Sequence, residues 1–419
     1  MCAKWNGEYD VGLLLWELQD SRTYNEATGE FQGFEGWNPF EDVLAVLHSC
    51  VDFARYIIEM DRSSIIYESV FAVGHLDEMT PDALIAEMNR RERDYWQRDE
   101  RAFVLTTSIS IRSPNPLANT SISGHRITFG DRLPRRFARE HAKVREQGRH
   151  VIFGELPKWW SMIRGYLPAR VSVRARSNHE AYEKAIGALD LLRGIWNLRL
   201  NSSARSSFGK REPVNVLQLG PLHSLHKLSG ELATETYWYD AEYVEPVKSA
   251  SLRSEQARLR TFETTMRKYL SKSHYREELE AAIRRYTRVL DSREWNTAFV
   301  QMWSLLEYLT ATSEDPNKVT LKRALSLSHK DEREFHRQVL KHLMTYRNRT
   351  VHAGYTSEAI ETHLYQLKRY VERVLLFHIY SAPDFASIGK AAEFMHLPPE
   401  LPELRRKRWL IERAIRYHR

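Results

Sequence analysis

The feature of this sequence that most constrains its fold is an almost unbroken series of helical patterns that begins near residue 251. Four long segments after residue 273 carry apolar residues at helical spacing, and short or moderate connections join them. Gly354 marks the predicted end of the third segment, because glycine is preferred just past a helix C-terminus. The series predicts a mostly α-helical bundle over residues 251–390. The predicted core positions are Leu279, Ile283, Tyr286, Leu290, Phe299, Met302, Leu306, Leu309, Ile360, Leu364, Leu367, Val371, Val374 and Leu375.

The first 250 residues mix two kinds of pattern. Strand patterns occur at residues 10–18, 101–111 and 169–175, and helical patterns occur at residues 39–60, 80–96 and 178–198. Asn178 is the predicted N-cap of the last of these helices. We therefore expect an α+β N-terminal region with a regulatory or sensing role, followed by the mostly α bundle. The N-terminal region forms either one unit or two units that divide near residue 150.

Residues 391–419 predict a separate C-terminal element. The stretch PELRRKRWLIERAIRYHR reads as a basic amphipathic helix, in which Trp409, Leu410 and Ile415 oppose a face rich in arginine and lysine. Two roles remain open for it. Packing on the rest of the chain is the favoured one, and binding of RNA is the other.

Composition bounds the classes of protein to consider. The two cysteines, Cys2 and Cys50, form no CxxC pair and belong to no spaced Cys/His set, which argues against a disulfide scaffold and a zinc domain. His223 and His226 lack a third ligand at a suitable spacing, so we expect no metal and no cofactor. No stretch approaches the roughly 20 apolar residues of a membrane span, so we expect a cytoplasmic protein without a membrane partner. The net charge of +7 is compatible with a nucleic-acid partner.

The stretch YRNRTVHAG, residues 346–354, combines an arginine, an asparagine and a histidine. The bare spacing of Arg347 and His352 recurs at five other places, Arg337 and His342 among them, so spacing alone has little specificity. The distinguishing features are Asn348 directly after the arginine and the helix stop at Gly354. Five residues of α-helix separate two side chains by about 140°. The two side chains therefore converge only if the helix ends or loosens near His352.

Two segments resemble the HEPN family. LMTYRNRTVHAG, residues 343–354, resembles its motif of an arginine, a polar residue that is often asparagine, and a histidine a few residues further on. WSLLEYLT, residues 303–310, is similar to the preceding helix of the Apea-like HEPN branch, with an aromatic residue, an apolar pair and a glutamate. The resemblance spans roughly residues 274–381 and implies an HEPN-like helical bundle.

The resemblance also implies an activity. HEPN proteins of this kind are metal-independent endoribonucleases that act as homodimers, with two motifs facing each other in one composite cleft. Arg347, Asn348 and His352 would be catalytic here, with Glu307 and Tyr346 in support. The expected partners are RNA (tRNA, mRNA or rRNA), a second copy of the chain, and a regulatory protein or phage-derived trigger. The expected biological role is a toxin-like effector in anti-phage defence or abortive infection.

The chemistry of RNA cleavage suits these residue types. The ribose 2′-OH attacks the phosphate, so the reaction needs a base, an acid and positive charge on the phosphate. Histidine titrates near neutrality and arginine offers a planar fork of donors. Two alternatives remain open. Arg347 could pair with Glu307 or Glu358 while His352 caps the helix, or the bundle could be a non-catalytic scaffold for dimerisation or RNA binding.

Overall fold

A computed structural model describes residues 2–112, 117–152, 165–204, 212–240, 243, 247–312 and 317–418, without the side chains of residues 37–39, 147–152, 317 and 352. Within these residues the chain is mostly helical, with fourteen α-helices and a smaller sheet region. The prediction of a mixed N-terminal part and a helical C-terminal part is confirmed at this level.

The helices and strands follow one another along the chain as follows. The helices are α1 (Val11–Asp20), α2 (Trp37–Cys50), α3 (Glu59–Gly74), α4 (Pro81–Gln97), α5 (Arg135–Ile152), α6 (Asn178–Leu200), α7 (Gln256–Leu270), α8 (Arg276–Asp291), α9 (Trp295–Leu309), α10 (Asn317–Ser326), α11 (Arg333–Ala353), α12 (Ile360–Ser381), α13 (Ile388–Met395) and α14 (Leu401–Tyr417). The strands are β1 (Lys4–Trp5), β2 (Arg22–Tyr24), β3 (Phe31–Phe34), β4 (Val51–Asp52), β5 (Arg101–Ile109), β6 (Thr120–Ile122), β7 (His125–Phe129), β8 (Leu167–Ala175), β9 (Leu222–Lys227) and β10 (Trp238–Tyr239).

Six of the strands form one sheet, in the order β10-β9-β5-β8-β7-β6. β6 and β7 are antiparallel, with Thr120 opposite Ile127. Ser123 and Gly124 join them in a tight turn, and both have positive φ angles of 49° and 79°. Two-residue hairpin turns of this kind match the twist of the flanking strands. β1 pairs with β4, and β2 pairs with β3, in two small antiparallel ribbons.

Tertiary contacts divide the chain into two compact units. The first comprises residues 1–105, 172–186 and 224–237, and the second comprises residues 106–171, 187–223 and 238–419. The predicted boundaries near residues 150, 250 and 390 stay predictions.

In the first unit, residues 10–18 form a helix and not the predicted strand. The carboxylate of Asp10 accepts a hydrogen bond from the backbone N–H of Leu13 at 3.1 Å and so caps α1. Val11, Leu15 and Leu18 lie at i, i+4 and i+7, and all three are buried. Leu13 and Trp16 of the same apolar run are 57% and 58% exposed, so only part of the run forms the buried face of this helix.

The helix predicted over residues 39–60 is also corrected, because two helices cover this region. α2 ends at Cys50, and the short strand β4 separates it from α3, which starts at Glu59. Other predicted elements are confirmed. β5 covers most of residues 101–111, α4 covers residues 80–96 apart from its capping residue Thr80, and β8 leads into α6.

In the second unit, α9 contacts α8, α10, α11 and α12, and α12 contacts α7 as well. All fourteen core positions predicted for these helices are buried. Burial of an aliphatic or aromatic side chain contributes about 1.5–3 kcal/mol, so these faces explain why the segments pack as helices. Gly354 ends α11 in the left-handed conformation, with a φ of 59°, as predicted.

The predicted cap of α6 lies at the neighbouring residue instead. The Ser177 hydroxyl, not Asn178, accepts a hydrogen bond from the backbone N–H of Glu180 at 2.9 Å. α9 is capped by the Glu294 carboxylate, which accepts from the backbone N–H of Asn296 at 3.1 Å. Ser292 accepts from the backbone N–H of Glu294. A serine or acidic side chain thus takes each cap position because its oxygen reaches the first free N–H groups.

The C-terminal helix α14 forms as predicted, but the favoured role of packing on the rest of the chain is wrong. None of its residues is buried, and Trp409 keeps 55% of its surface exposed. The Arg413 guanidinium lies over the Trp409 ring at 5.5 Å. Among the described residues, no helix is long and apolar enough to cross a membrane.

Candidate active site

Arg347 lies on α11 where this helix packs against α9, and Glu307 lies on α9. The Arg347 side chain keeps 26% of its surface, and the Glu307 side chain keeps 13%. The distance from Nη2 of Arg347 to Oε1 of Glu307 is 3.9 Å, which is too long for a hydrogen bond. The structure therefore brings these two predicted residues together as a loose ion pair.

Glu307 is held by a neighbour on its own helix. The indole Nε1–H of Trp303, which is fully buried, donates to Oε1 of Glu307 at 2.8 Å. Oε1 is also the carboxylate oxygen nearest to Arg347. An ionised carboxylate has about four acceptor sites, so the bond from Trp303 orients Glu307 without excluding Arg347.

Among the described residues, the other N–H donors of Arg347 make one long hydrogen bond or none. Nη1 donates to Oδ1 of Asn348 at 3.4 Å, a long contact. Nε is buried and has no hydrogen-bond partner within the described part of the chain. Buried donors are normally satisfied, and each unpaired one costs about 1–3 kcal/mol. The 26% of the Arg347 side chain that stays exposed is where an anion could approach the guanidinium.

Tyr346 fixes the position of α11 beside the arginine. Its side chain is 4% exposed, and its hydroxyl donates to Oδ1 of Asn296 on α9 at 2.7 Å. Its ring contacts Phe299 of α9 at a centroid distance of 4.9 Å and His363 of α12 at 4.6 Å. Tyr346 therefore ties three helices together directly before Arg347, and it can support the site without touching a substrate.

His352 lies in the last turn of α11, and its side chain is outside the described residues. The helix is intact up to this position, because the N–H of Gly354 still bonds to the carbonyl of Thr350 at 3.1 Å. The chain leaves the helix directly afterwards, at Gly354. The predicted end near His352 is thus present, whereas convergence of His352 with Arg347 stays a prediction. No ion pair joins Arg347 to Glu358 among the described residues.

Comparisons with known proteins do not assign the chain. No family model, curated protein or solved structure matches it. The function of this site is therefore inferred from its own residues and geometry.

Sequence reasoning missed a histidine pair on the same helices. Nε2 of His342 on α11 lies 3.0 Å from Nε2 of His363 on α12. His363 is 7% exposed, and its pKa is lowered by burial and by the neighbouring His342. One ring nitrogen must donate and the other accept, so the two rings cannot both carry a proton on Nε2. The spacing of His342 and Tyr346, four residues apart on one helix face, was the available signal.

Arg285 on α8 is a second basic group near Glu307. Burial lowers the pKa of the Arg285 guanidinium, while Tyr308 and Glu307 act in the opposite direction. Arginine remains charged in either case. Arg285 could not be predicted from the spacing of the motif, because Arg285 lies on α8 and Glu307 lies on α9.

His223 and His226 make ordinary structural hydrogen bonds. Nδ1 of His223 lies 2.8 Å from the Thr107 hydroxyl, and the ring of His226 bonds to the Ser224 hydroxyl and the Gly230 carbonyl, each at 2.9 Å. Burial lowers the pKa of His223 to about 4. The described residues contain no group of three or more His, Cys, Asp or Glu side chains that could hold a metal ion.

Proposed function

We propose that this chain is a metal-independent endoribonuclease of the HEPN type, with Arg347, Asn348 and His352 as its catalytic motif. The observation that carries the proposal is the state of Arg347. Its guanidinium is half-buried, lies 3.9 Å from its nearest carboxylate, and has a buried Nε without a partner among the described residues. Buried Nε atoms without a partner also occur at Arg22, Arg62, Arg176, Arg323 and Arg333 among the described residues, so Arg347 is distinguished by its loose ion pair and by its place directly before Asn348 and five residues before His352.

The proposed roles follow from the chemistry of each group. A histidine imidazole takes the proton of the ribose 2′-OH, the 2′-oxygen forms a bond to phosphorus, and the bond to the 5′-oxygen breaks. A second imidazole returns a proton to that 5′-oxygen. Arg347 stabilises the negative charge on the phosphate oxygens through its planar donors. Asn348 orients the phosphate or the imidazole. The products are a 2′,3′-cyclic phosphate and a 5′-hydroxyl.

Two imidazoles are needed, and each motif contains one. We propose that α8, α9, α11 and α12 form an HEPN-like bundle through which two chains associate, so that each contributes one His352 to a shared cleft. The dimer is expected to have twice the mass of the chain in solution. A strict monomer at micromolar concentration would contradict the shared cleft.

The biological proposal is a toxin-like effector in anti-phage defence or abortive infection, under the control of a partner protein or a phage-derived trigger. It is supported by the motif alone. The first 250 residues, with their own core in the first unit, supply structure in which such a signal could be received.

The central experiment incubates total RNA and tRNA with purified protein in excess EDTA and maps the ends of the products. Wild-type protein is compared with His352→Ala, Arg347→Ala and Arg337→Ala. Arg337 is the matched control because it lies on α11, also precedes a histidine by five residues, and pairs with Glu334 at 2.9 Å on the exposed side.

We expect cleavage with cyclic-phosphate ends by the wild type and by Arg337→Ala. Loss of an electrostatic or proton-transfer group commonly costs a factor of about 10²–10³, and we expect a loss of this size in the other two variants. Full activity of either one would refute the assignment. Binding of RNA without cleavage by the wild type, with or without candidate triggers, would favour the scaffold alternative.

A further inference from the structure

Three arginines of the second unit lie close together outside the Arg347 site. Arg126 belongs to β7, Arg170 belongs to the neighbouring strand β8, and Arg136 lies in the first turn of α5. The ring of Phe137, which is buried, contacts two of the guanidiniums, with Cζ of Arg136 at 4.9 Å and Cζ of Arg170 at 5.7 Å from its centroid. Stacking on one ring fixes the positions of these two charges.

The charges of this arginine cluster are not balanced by the described chain. Burial lowers the pKa of the Arg170 guanidinium, and the positive charges of Arg136 and Arg126 lower it further. No carboxylate acts on Arg170, and no ion pair involves any of the three arginines within the described residues. Like charges at short range disfavour the charged state of each other, so the cluster is a site of repulsion in the protein alone.

The start of α5 adds to this imbalance. Its first two residues are Arg135 and Arg136, and the first turn contains no acidic residue. The N-terminus of a helix carries a partial positive charge, so arginine is unfavourable there and an anion is favourable. The helix end and the arginine cluster therefore both favour the same kind of ligand, an external anion.

The row of charges along α5 suits a polyanion better than a single ion. Arg135, Arg139 and Lys143 are exposed at four-residue spacing on one face of this helix, and Arg139 and Lys143 share Glu140 at 3.8 and 2.9 Å. An α-helix rises about 1.5 Å per residue, so this row extends the basic surface beyond one phosphate group. Among the described side chains of residues 117–146, none is an exposed large hydrophobic residue. A helix that lies on a lipid surface presents such residues, so the surface fits RNA better than a membrane.

We propose that Arg126, Arg136 and Arg170 bind the phosphate groups of an RNA strand and hold the substrate for cleavage. The guanidiniums bind phosphate oxygens through paired N–H donors, while the helix end contributes its partial charge. As a substrate-holding surface it rests on the proposed ribonuclease function, whereas its binding of RNA can be tested without any cleavage.

The test measures binding of a fluorescent single-stranded RNA of about 20 nucleotides by anisotropy between 50 and 200 mM salt, the range in which phosphate contacts show their salt dependence. The RNA carries 2′-O-methyl groups, which remove the nucleophile and prevent cleavage. The variant is Arg126→Gln/Arg136→Gln/Arg170→Gln. The control, Arg90→Gln/Arg258→Gln/Arg337→Gln, also removes three positive charges, but each of its arginines pairs with a carboxylate on its own helix or directly before it.

We expect the cluster variant to bind RNA at least tenfold more weakly. The slope of log K against log salt concentration should be smaller in magnitude by about 2, because each of the three phosphate contacts contributes about 0.7 to it. The control should bind within about twofold of the wild type. The melting temperature of the cluster variant should be unchanged or higher, since repulsion is removed. Equal binding by the cluster variant and the control would overturn the proposal. So would binding to phosphatidylserine vesicles, lost in the cluster variant, without binding to RNA.

The failure of this proposal is distinguishable from failure of the nuclease. Binding of the methylated RNA is measured without cleavage, so the result for the cluster variant does not depend on the activity that Arg347→Ala is expected to lose. Cluster-dependent binding by a protein that never cleaves would support the surface and refute the nuclease. Cleavage with an unchanged KM in the cluster variant would refute the surface and leave the nuclease intact.

Discussion

The guanidinium of Arg347 lies 3.9 Å from the Glu307 carboxylate, and the nearer carboxylate oxygen already accepts a hydrogen bond from Trp303. Arg347 therefore forms only a loose ion pair with Glu307. Such an arrangement leaves a half-buried positive charge available to an anion, which is the property that the proposed reaction requires.

The first prediction concerns Glu307→Gln. Glutamine keeps an oxygen acceptor for Trp303 and removes the negative charge, so the position of Arg347 should change little. We expect the initial rate of RNA cleavage to stay within about tenfold of the wild type, against a loss of about 10²–10³ for Arg347→Ala. A loss in Glu307→Gln as large as that in Arg347→Ala would show that the carboxylate itself takes part in the reaction.

The second prediction concerns His378, which is fully buried on α12. Its Nε2 donates to the Leu309 carbonyl at 2.7 Å, and the Tyr275 hydroxyl donates to its Nδ1 at 3.2 Å, so the ring is neutral. Burial lowers the pKa of His378 to about 4. The pKa of this histidine in the unfolded chain is about 6.5, so the unfolded chain binds a proton as the pH falls below that value. The folded chain does not bind the proton until the pH approaches about 4.

Stability contributed by neutral His378 is therefore complete above about pH 6.5 and is lost between that pH and about 4. From pH 7 to pH 5 the loss is about 2 kcal/mol of unfolding free energy. Urea unfolding at the two pH values should show this loss in the wild type and a pH dependence smaller by about that amount in His378→Gln. Identical pH dependence in both proteins would contradict the assignment.

The third prediction concerns Gly194 on α6. A Cβ atom at this position would lie 2.2 Å from the Thr287 hydroxyl oxygen and 2.7 Å from Cγ2 of Ile283 on α8. Thr287 is buried and bonded to the carbonyls of Asp190 and Ile283, so it cannot move aside. Gly194→Ala should lower the unfolding free energy by about 1–3 kcal/mol, although alanine favours helices.

Gly187→Ala on the same helix is the matched control. A Cβ there would meet only the flexible Arg284 side chain, at the ordinary contact distance of 3.6 Å. We expect this change to be neutral or to raise stability by up to about 1 kcal/mol. Thermal or urea unfolding should show that Gly194→Ala is less stable than Gly187→Ala. The opposite ranking of stability would refute the close approach of α6 and α8.

The fourth prediction concerns α14. Removal of residues 401–419 should shift the melting temperature by less than about 2 °C, because no residue of this helix is buried and surface changes are worth about 0.5 kcal/mol or less. Removal of residues 388–419 also deletes α13, with buried Ile388, Ala391, Ala392 and Met395, and should destabilise strongly. Scanning calorimetry compares the two. Equal destabilisation by both truncations would mean that α14 packs on the protein.

The sequence predicted the bundle core well and the site only in outline. Apolar positions such as Leu306 and Val371 follow a helical period that is local to each segment, so their burial could be read directly. The helix end at Gly354 was equally local, because it depends on one residue without a Cβ. Residues 10–18 were misread because a short apolar run fits either a strand or a helix, and the Asp10 cap decided the outcome.

By itself, the sequence determined which faces of the C-terminal helices are apolar, where α11 ends, and that Arg347, Asn348 and His352 occupy its last turns. Only the tertiary structure decided the contacts between segments that are distant in the sequence. Glu307 lies 3.9 Å from Arg347, His342 lies within hydrogen-bond distance of His363, and the guanidiniums of Arg136 and Arg170 both contact the Phe137 ring. The physical reason is the sequence separation over which each effect acts. Periodicity and capping act within a few residues of the chain, whereas these relationships join different helices and strands whose approach is set by the packing of the whole core.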